Sequence, residues 1–190
     1  MSLRISGRGT FALAALAALV TGSVVFVAQS ADLSNTADAL RRSAQKVDDA
    51  YRTIAREQAA PLRGAALDEQ ERLQLEAVEL LAGKQPPEDI REHVRAIVAL
   101  QVSLRKFREM LADNADAADR SEYALLERET GEAGDVRTLL QEYNDLAKRW
   151  NGMVQGQLGS LHASLRGYET AELPLLRFDG QEEYQTVIEL

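Results

Sequence analysis

The chain has 190 residues and a mass of 20.9 kDa, which suits one domain with a hydrophobic core. It is 45% hydrophobic but only 5% aromatic, a balance that favours Leu- and Ala-rich helices and excludes most all-β folds. Because it has no cysteine, disulfides, thiolate metal sites, attached c-type haem, a cysteine nucleophile and lipoprotein acylation are excluded.

The first 31 residues are predicted to form a membrane anchor. The segment Gly9–Ala31 contains 23 residues without charge, enough to cross a hydrocarbon core about 30 Å thick. Arg4 and Arg8 precede it, and no basic residue follows until Arg41, so the positive-inside rule predicts a cytoplasmic N-terminus and an exported domain. The alternative is a secretory signal that is cleaved near residues 28–30, which would leave a soluble periplasmic protein.

The part after residue 31 is acidic. It carries all 30 acidic residues but only 20 of the 22 basic residues, which gives a formal charge of −10. Such a domain repels nucleic-acid phosphates, so no nucleic-acid partner is expected. Neighbouring charges of opposite sign, as in residues 48–57 and 105–109, predict solvated helix faces.

Apolar spacing predicts three helices, over residues 33–58, 65–82 and 87–112, with breaks near Pro61 and at Pro86-Pro87. The residues predicted to face inward are Leu33, Ala37, Leu40, Ala44, Val47, Tyr51 and Ile54 in the first helix, Leu67, Leu73, Ala77, Leu80 and Leu81 in the second, and Ile90, Val94, Ile97, Leu100, Leu104, Phe107 and Leu111 in the third.

A weaker helix over residues 116–129 is followed by a glycine-containing break at 131–134 and by the longest predicted helix, 135–169. Three glycines lie inside that helix, where each costs about 1 kcal/mol relative to alanine; they are Gly152, Gly156 and Gly159. Either another helix or protomer approaches the backbone closely there, or the helix bends. The tail, residues 171–190, is predicted to form a hairpin or to be disordered.

No catalytic, metal or cofactor site is predicted. Neither His93 nor His162 follows a glutamate by three residues, as ligands of a di-iron bundle would, and both are predicted to be surface histidines. Paired acids such as Asp48-Asp49 lie in charged surroundings, which predicts exposure rather than acid–base catalysis.

Two motifs carry a family resemblance. Tyr143-Asn144-Asp145 is followed seven residues later by Trp150-Asn151, and the segment Val47-Asp48-Asp49-Ala50-Tyr51-x-x-Ile54 lies in the first exported helix. Both resemble signatures of LemA family proteins, in the same order and spacing. The chain departs from the family pattern at residues 58–64 and 154–159, so it resembles a divergent member.

The resemblance implies one N-terminal membrane helix followed by antiparallel helices. The predicted fold is therefore an all-α antiparallel bundle with long, coiled-coil-like helices after the anchor: residues 1–31 form the anchor, 32–170 the bundle and 171–190 the tail. The resemblance also implies a non-enzymatic scaffold in the bacterial inner membrane, with the bundle outside the cytoplasm and an envelope protein or a second copy of the chain as partner. The alternative is an exported bundle that senses a small ligand or cation.

The candidate interaction face lies in the long helix: Tyr143, Asn144, Trp150, Asn151, Gly152, Gly156 and Gly159. The aromatic and amide side chains have two interpretations. They form a core in which the amides hydrogen-bond across the bundle, or they recognise a partner.

Overall fold

The computed structural model describes residues 7–63, 67–112, 123–168 and 170–176, and of the helical residues 7–19, 22, 24, 61, 112, 123–135, 157 and 158 it describes the backbone alone. Within these ranges the chain forms five α-helices and no strand, so the all-helical class is confirmed. The helices are α1 (Gly7–Leu62), α2 (Glu69–Gly83), α3 (Ile90–Ala112), α4 (Tyr123–Val154) and α5 (Gln157–Leu165).

Helix α1 runs without a break for 56 residues, from the uncharged N-terminal segment to Leu62. All seven positions predicted to face inward between Leu33 and Ile54 are buried. Their alternating steps of three and four residues place them on one side of the helix. Among the described residues, the structure contains no helix with the length and apolar character needed to cross a membrane.

Aspartate side chains determine where α2 and α3 begin. Asp68 Oδ1 accepts a hydrogen bond from the Glu71 amide, and the Asp68 amide donates to Glu71 Oε2, both at 2.8 Å; this reciprocal capping box precedes α2. Asp89 Oδ1 accepts from the amides of Arg91 and Glu92 at 3.0 Å. Both helices therefore begin directly after the capping aspartate, a few residues later than predicted.

The prediction for the inner face of α2 was wrong. The helix buries Leu75, Val78 and Ala82, whereas Leu73 and Leu80 are 57% and 63% exposed. The sequence of α2 carries two apolar stripes, and the stripe that contains Leu75 and Val78 is the buried one. Beside it, Gln74 Nε2 donates to the backbone oxygen and to the hydroxyl of Ser103 on α3. For α3 the prediction was right except at Ile90, which is only partly buried.

The two predicted boundaries in the C-terminal half were also wrong. Helix α4 continues through residues 131–134, where a break was expected, and ends at Val154, inside the predicted helix 135–169. Gly156 has an extended backbone and precedes α5. A Cβ atom on Gly159 would lie 1.8 Å from the backbone oxygen of Met153. The chain therefore bends between α4 and α5. This agrees with the second of the two explanations given for the glycines, a bend in the helix.

The helical residues belong to two compact units. One unit comprises Met1–Asp38 and Trp150–Glu172, and the other comprises Ala39–Arg149 and Leu173–Leu190. The core of the second unit contains buried side chains from α1 to α4; the largest are Tyr143, Phe107, Leu40, Ile97, Leu100, Leu104 and Leu111. Residues 172–176 have no helix or strand, and the rest of the predicted tail, residues 177–190, lies outside the described residues.

Candidate functional site

Tyr143 and Asn144 of the predicted interaction face bind the C-terminal segment of the chain itself. Asn144 makes two hydrogen bonds with the backbone of Leu176: its Nδ2 donates to the carbonyl at 2.7 Å, and its Oδ1 accepts from the amide at 2.8 Å. The Tyr143 hydroxyl donates to the Pro174 carbonyl at 3.1 Å. Because these contacts involve backbone groups, they hold residues 174–176 in place irrespective of side-chain identity.

The burial of Tyr143 explains why its hydroxyl acts as a donor. The side chain is fully buried, and this burial raises the pKa of Tyr143 above its ordinary value of 10.0. The hydroxyl therefore stays protonated at physiological pH. Leu173 and Leu176 are buried as well. Of the two interpretations of the motif, the structure shows a core aromatic and an amide that binds the chain's own backbone.

Trp150 and Asn151 lie in the other unit, at the end of α4. Trp150 is buried, and its ring meets the ring of Tyr168 edge-on, with centroids 5.8 Å apart. Asn151 is partly buried. Trp150 thus has the position of a core aromatic as well, and the aromatic rings of the predicted face are not available at the surface.

The three glycines of the predicted face differ in their surroundings. Gly152 and Gly156 are exposed, and a Cβ atom at either position would meet no atom within 4 Å. Gly159 is the exception, since its closeness to the carbonyl of Met153 leaves no room for a side chain. Only Gly152 and Gly156 therefore leave an open surface that a partner could approach.

A buried polar cluster was missed by the sequence analysis. Asp48 on α1 is only 1% exposed; its Oδ2 accepts a hydrogen bond from His93 Nε2 on α3 at 3.1 Å and lies 2.8 Å from Arg52 Nε. The predictions that Asp48 and Arg52 are solvated and that His93 is a surface histidine were wrong, and so was the same prediction for His162, which is also buried. The sequence feature that could have indicated burial is the position of Asp48 directly after the buried Val47, with Arg52 four residues further along the helix.

Burial and pairing act in opposite directions on the carboxyl group of this cluster. Burial raises the pKa of Asp48, but the hydrogen bond from His93 and the contact with Arg52 lower it more, so the net pKa lies below the ordinary value of 3.8. Asp48 is therefore ionised at physiological pH, and His93 Nε2 must carry a proton to donate to it.

Arg52 extends the cluster to the C-terminal end of α2. Its guanidinium donates to the carbonyls of Leu81, Ala82 and Lys84, at 2.8 Å to that of Ala82. A positive charge placed at the last carbonyls of a helix satisfies unpaired acceptors and favours the helix dipole. The cluster thus connects α1, α2 and α3. Because its groups are buried and already paired, its arrangement suits a structural role rather than acid–base catalysis on a substrate.

No protein-family model, no curated protein and no solved structure matches this chain. Among the described residues, no group of three or more His, Asp or Glu side chains is arranged to hold a metal ion.

The surface of α2, in the second unit, carries a stripe of apolar side chains that no described part of the chain covers fully. Leu73, Ala77 and Leu80 follow the spacing i, i+4 and i+7, which places them on one stripe of the helix. Both leucines are more than half exposed. Glu69 and Glu76, both exposed, flank this stripe on one side. We refer to Leu73, Ala77 and Leu80 as the leucine stripe.

Proposed function

We propose that this chain is a membrane-anchored helical scaffold of the bacterial cell envelope, a divergent relative of LemA proteins, that acts through protein–protein contacts and carries out no catalysis. The observation that supports contact formation best is the leucine stripe. Two leucines at helical spacing that stay exposed in a folded domain are typical of a surface that another helix covers.

The acidic edge of the stripe favours one kind of partner. Glu69 and Glu76 would repel the same edge of a second copy laid across the stripe, but they would attract basic residues. We therefore propose, as the partner, an envelope protein that presents an amphipathic helix with basic residues beside its apolar face.

The anchor is part of the same proposal and rests on the sequence. The uncharged segment 9–31 is long enough to span a bilayer, and the arginines on its N-terminal side orient it with the bundle outside the cytoplasm. Its first half, residues 9–19, belongs to the part of α1 for which only the backbone is described. The inner membrane is therefore the proposed location.

Site-specific crosslinking in native membranes tests the proposal. A photoreactive amino acid replaces Leu80 in the full chain, and in a matched control it replaces Arg72, which is exposed on α2 about 80° away from Leu80 around the helix axis. Crosslinked products are identified by mass spectrometry. We expect one envelope protein to be captured from position 80 and not from position 72, and we expect the additional substitution Leu73→Gln to abolish the capture.

Two results would overturn the proposed contact surface. One is equal labelling from positions 72 and 80, which would indicate random collision. The other is the absence of any crosslink from position 80 in membranes where the full chain is present. A crosslinked product with twice the mass of the chain would replace the proposed partner by a second copy.

The alternative function, a sensor of cations or polyamines, stays a prediction from the net charge, because no observation among the described residues favours it. Calorimetry of the full chain in detergent with calcium, magnesium and a polyamine tests it. Measurable heat together with a raised melting temperature would support this alternative.

A further inference from the structure

Helix α5 exposes two large apolar side chains to solvent. Leu161 and Leu165 lie four residues apart on one side of this short helix and are 58% and 67% exposed. His162, on the flank of this side, and Ala163, on the opposite side, are buried. The helix is therefore held in place by a small, partly polar face and leaves Leu161 and Leu165 uncovered.

The contact that holds α5 connects it to the uncharged N-terminal segment. The ring of His162 packs against that of Phe26 on α1, with centroids 3.7 Å apart. Phe26 is itself half-exposed, and its neighbours Val25 and Val27 are exposed too. The exposed apolar side chains of this unit thus come from two elements that touch each other.

The position of the contact between Phe26 and His162 along α1 indicates where α5 lies relative to the end of the uncharged segment. Phe26 precedes Ala31, the last residue of the uncharged segment, by five residues, which corresponds to about 8 Å along a helix. Amphipathic helices that lie on membranes bury their apolar faces by about 5 to 10 Å, at the boundary between headgroups and acyl chains. If segment 9–31 spans the bilayer, α5 lies at that depth.

The local charge fits such a surface. The 19 residues 150–168 contain no acid, and Arg166 is their one residue with a permanent charge, although the chain after residue 31 carries a net charge of −10. Carboxylates, which anionic headgroups repel, are therefore missing from the segment that contains α5.

We infer that α5 is a second membrane contact, which lies on the outer leaflet beside the anchor with Leu161 and Leu165 inserted between lipids. This inference rests on the proposed anchoring of segment 9–31. Two leucines bind lipid weakly by themselves, but the anchor keeps α5 at the bilayer and gives it a high effective concentration there. The contact would fix the orientation of this unit on the membrane surface.

Environment-sensitive labels test the inference in the full-length protein. The chain has no cysteine, so one introduced cysteine gives one labelled site. Leu165→Cys reports on α5, Leu80→Cys on α2 is the control with a similarly exposed leucine, and Val20→Cys reports on the anchor. Each variant is reconstituted into vesicles of phosphatidylethanolamine and phosphatidylglycerol, with quenchers either attached to the acyl chains or dissolved in water.

We expect lipid-attached quenchers to reduce the emission from position 165 severalfold more than that from position 80, and the aqueous quencher to show the reverse. The inference is overturned if position 165 behaves like position 80 while position 20 is quenched by lipid; the anchor would then stand alone. If position 20 is not quenched by lipid either, the anchoring fails and the inference fails with it.

A second variant tests whether the leucines, rather than the label itself, bring α5 to the lipid. Leu161→Gln/Leu165→Gln makes the exposed face of α5 polar and leaves the buried His162 and Ala163 in place, so the unit should stay folded. The emission of Trp150, the single tryptophan of the chain, verifies this. With a label at the partly buried Ser160, we expect the lipid quenching to be lost in this double variant; unchanged quenching would contradict a role of the leucines.

Discussion

The carboxylate of Asp48 connects three helices, since it binds His93 on α3 and Arg52, whose guanidinium binds the last carbonyls of α2. Removal of the carboxylate leaves the buried, charged guanidinium of Arg52 without its anionic partner. We expect Asp48→Asn to lower the free energy of unfolding by about 3 to 5 kcal/mol. The control is Asp49→Asn at the exposed neighbouring position, which should change the free energy by less than about 0.5 kcal/mol.

The same carboxylate predicts a dependence on pH. Its pKa is lower in the folded chain than the ordinary value of 3.8, so the folded state binds this proton less readily than the unfolded state. The stabilisation is complete above the unfolded pKa and is lost as the pH falls through the folded pKa. Urea unfolding of the full chain in detergent, followed by circular dichroism, should show that the difference between wild type and Asp48→Asn shrinks below about pH 4. A constant difference would contradict the assignment.

Asn144 holds the backbone of Leu176 in place. Its amide group satisfies both backbone groups of Leu176, so Asn144→Leu leaves a buried amide and carbonyl without partners, at a cost of about 1 to 3 kcal/mol each. We expect much faster hydrogen exchange at the Leu176 amide, measured by mass spectrometry. Asp145→Ala, at the exposed next position, is the control. Unchanged exchange in Asn144→Leu would show that Leu173 and Leu176 hold the segment without the amide.

At the scale of elements, the helices that could be predicted best were those with one apolar stripe. The inward residues of α1 between 33 and 54 and nearly all those of α3 followed from periodicity, because only one face of each helix could be buried. Helix α2 has two apolar stripes, and the choice between them depends on contacts with α3, such as that of Gln74 with Ser103, which lie outside the sequence of α2.

The candidate site was predictable in part, for a related reason. The Tyr143-Asn144 motif was found from its spacing, but its target, the backbone of residues 174–176, is a tertiary partner that no local pattern indicates. The buried cluster was missed because Asp48 and Arg52 have the same i,i+4 spacing as a solvated ion pair. Only the buried position next to Val47 distinguishes the two cases.

The bend between α4 and α5 gives a prediction that separates two glycines. In Gly159→Ala, the new Cβ atom would collide with the backbone oxygen of Met153, so α5 must shift and the unit should lose stability. In Gly152→Ala, the Cβ atom meets nothing within 4 Å, and stability should rise by up to about 1 kcal/mol. Thermal unfolding monitored through Trp150 fluorescence measures both changes. Equal melting temperatures would argue against a bend that requires glycine.

The exposed glycines also test whether this surface assembles. Because neither Gly152 nor Gly156 has a neighbour that leucine must displace at its Cβ position, the double variant Gly152→Leu/Gly156→Leu should stay helical. We expect it to lose assembly with its partner or with a second copy, as measured by analytical ultracentrifugation in detergent. Intact assembly together with unchanged circular dichroism would remove these glycines from the interaction face.

At the scale of the whole molecule, the central question is whether the N-terminal segment stays attached. Cleavage after Ser30 would divide a helix that runs continuously from Gly7 to Leu62. It would also remove Phe26, which packs on His162, and Ser30, which is buried. These contacts contribute to the packing of the unit that contains α5, so their loss should destabilise it. We therefore expect the segment to be retained rather than cleaved.

One peptide decides between a retained and a cleaved segment. Trypsin cuts after Arg8 and Arg41, and no lysine or arginine lies between them, so a retained anchor gives the peptide 9–41. We expect mass spectrometry of the protein from carbonate-washed native membranes to find this peptide. Cleavage after Ser30 would instead give a peptide that starts at Ala31, from protein found in the soluble periplasmic fraction. That result would replace the anchored scaffold by a free exported bundle, and α5 would then have lost its contact with Phe26.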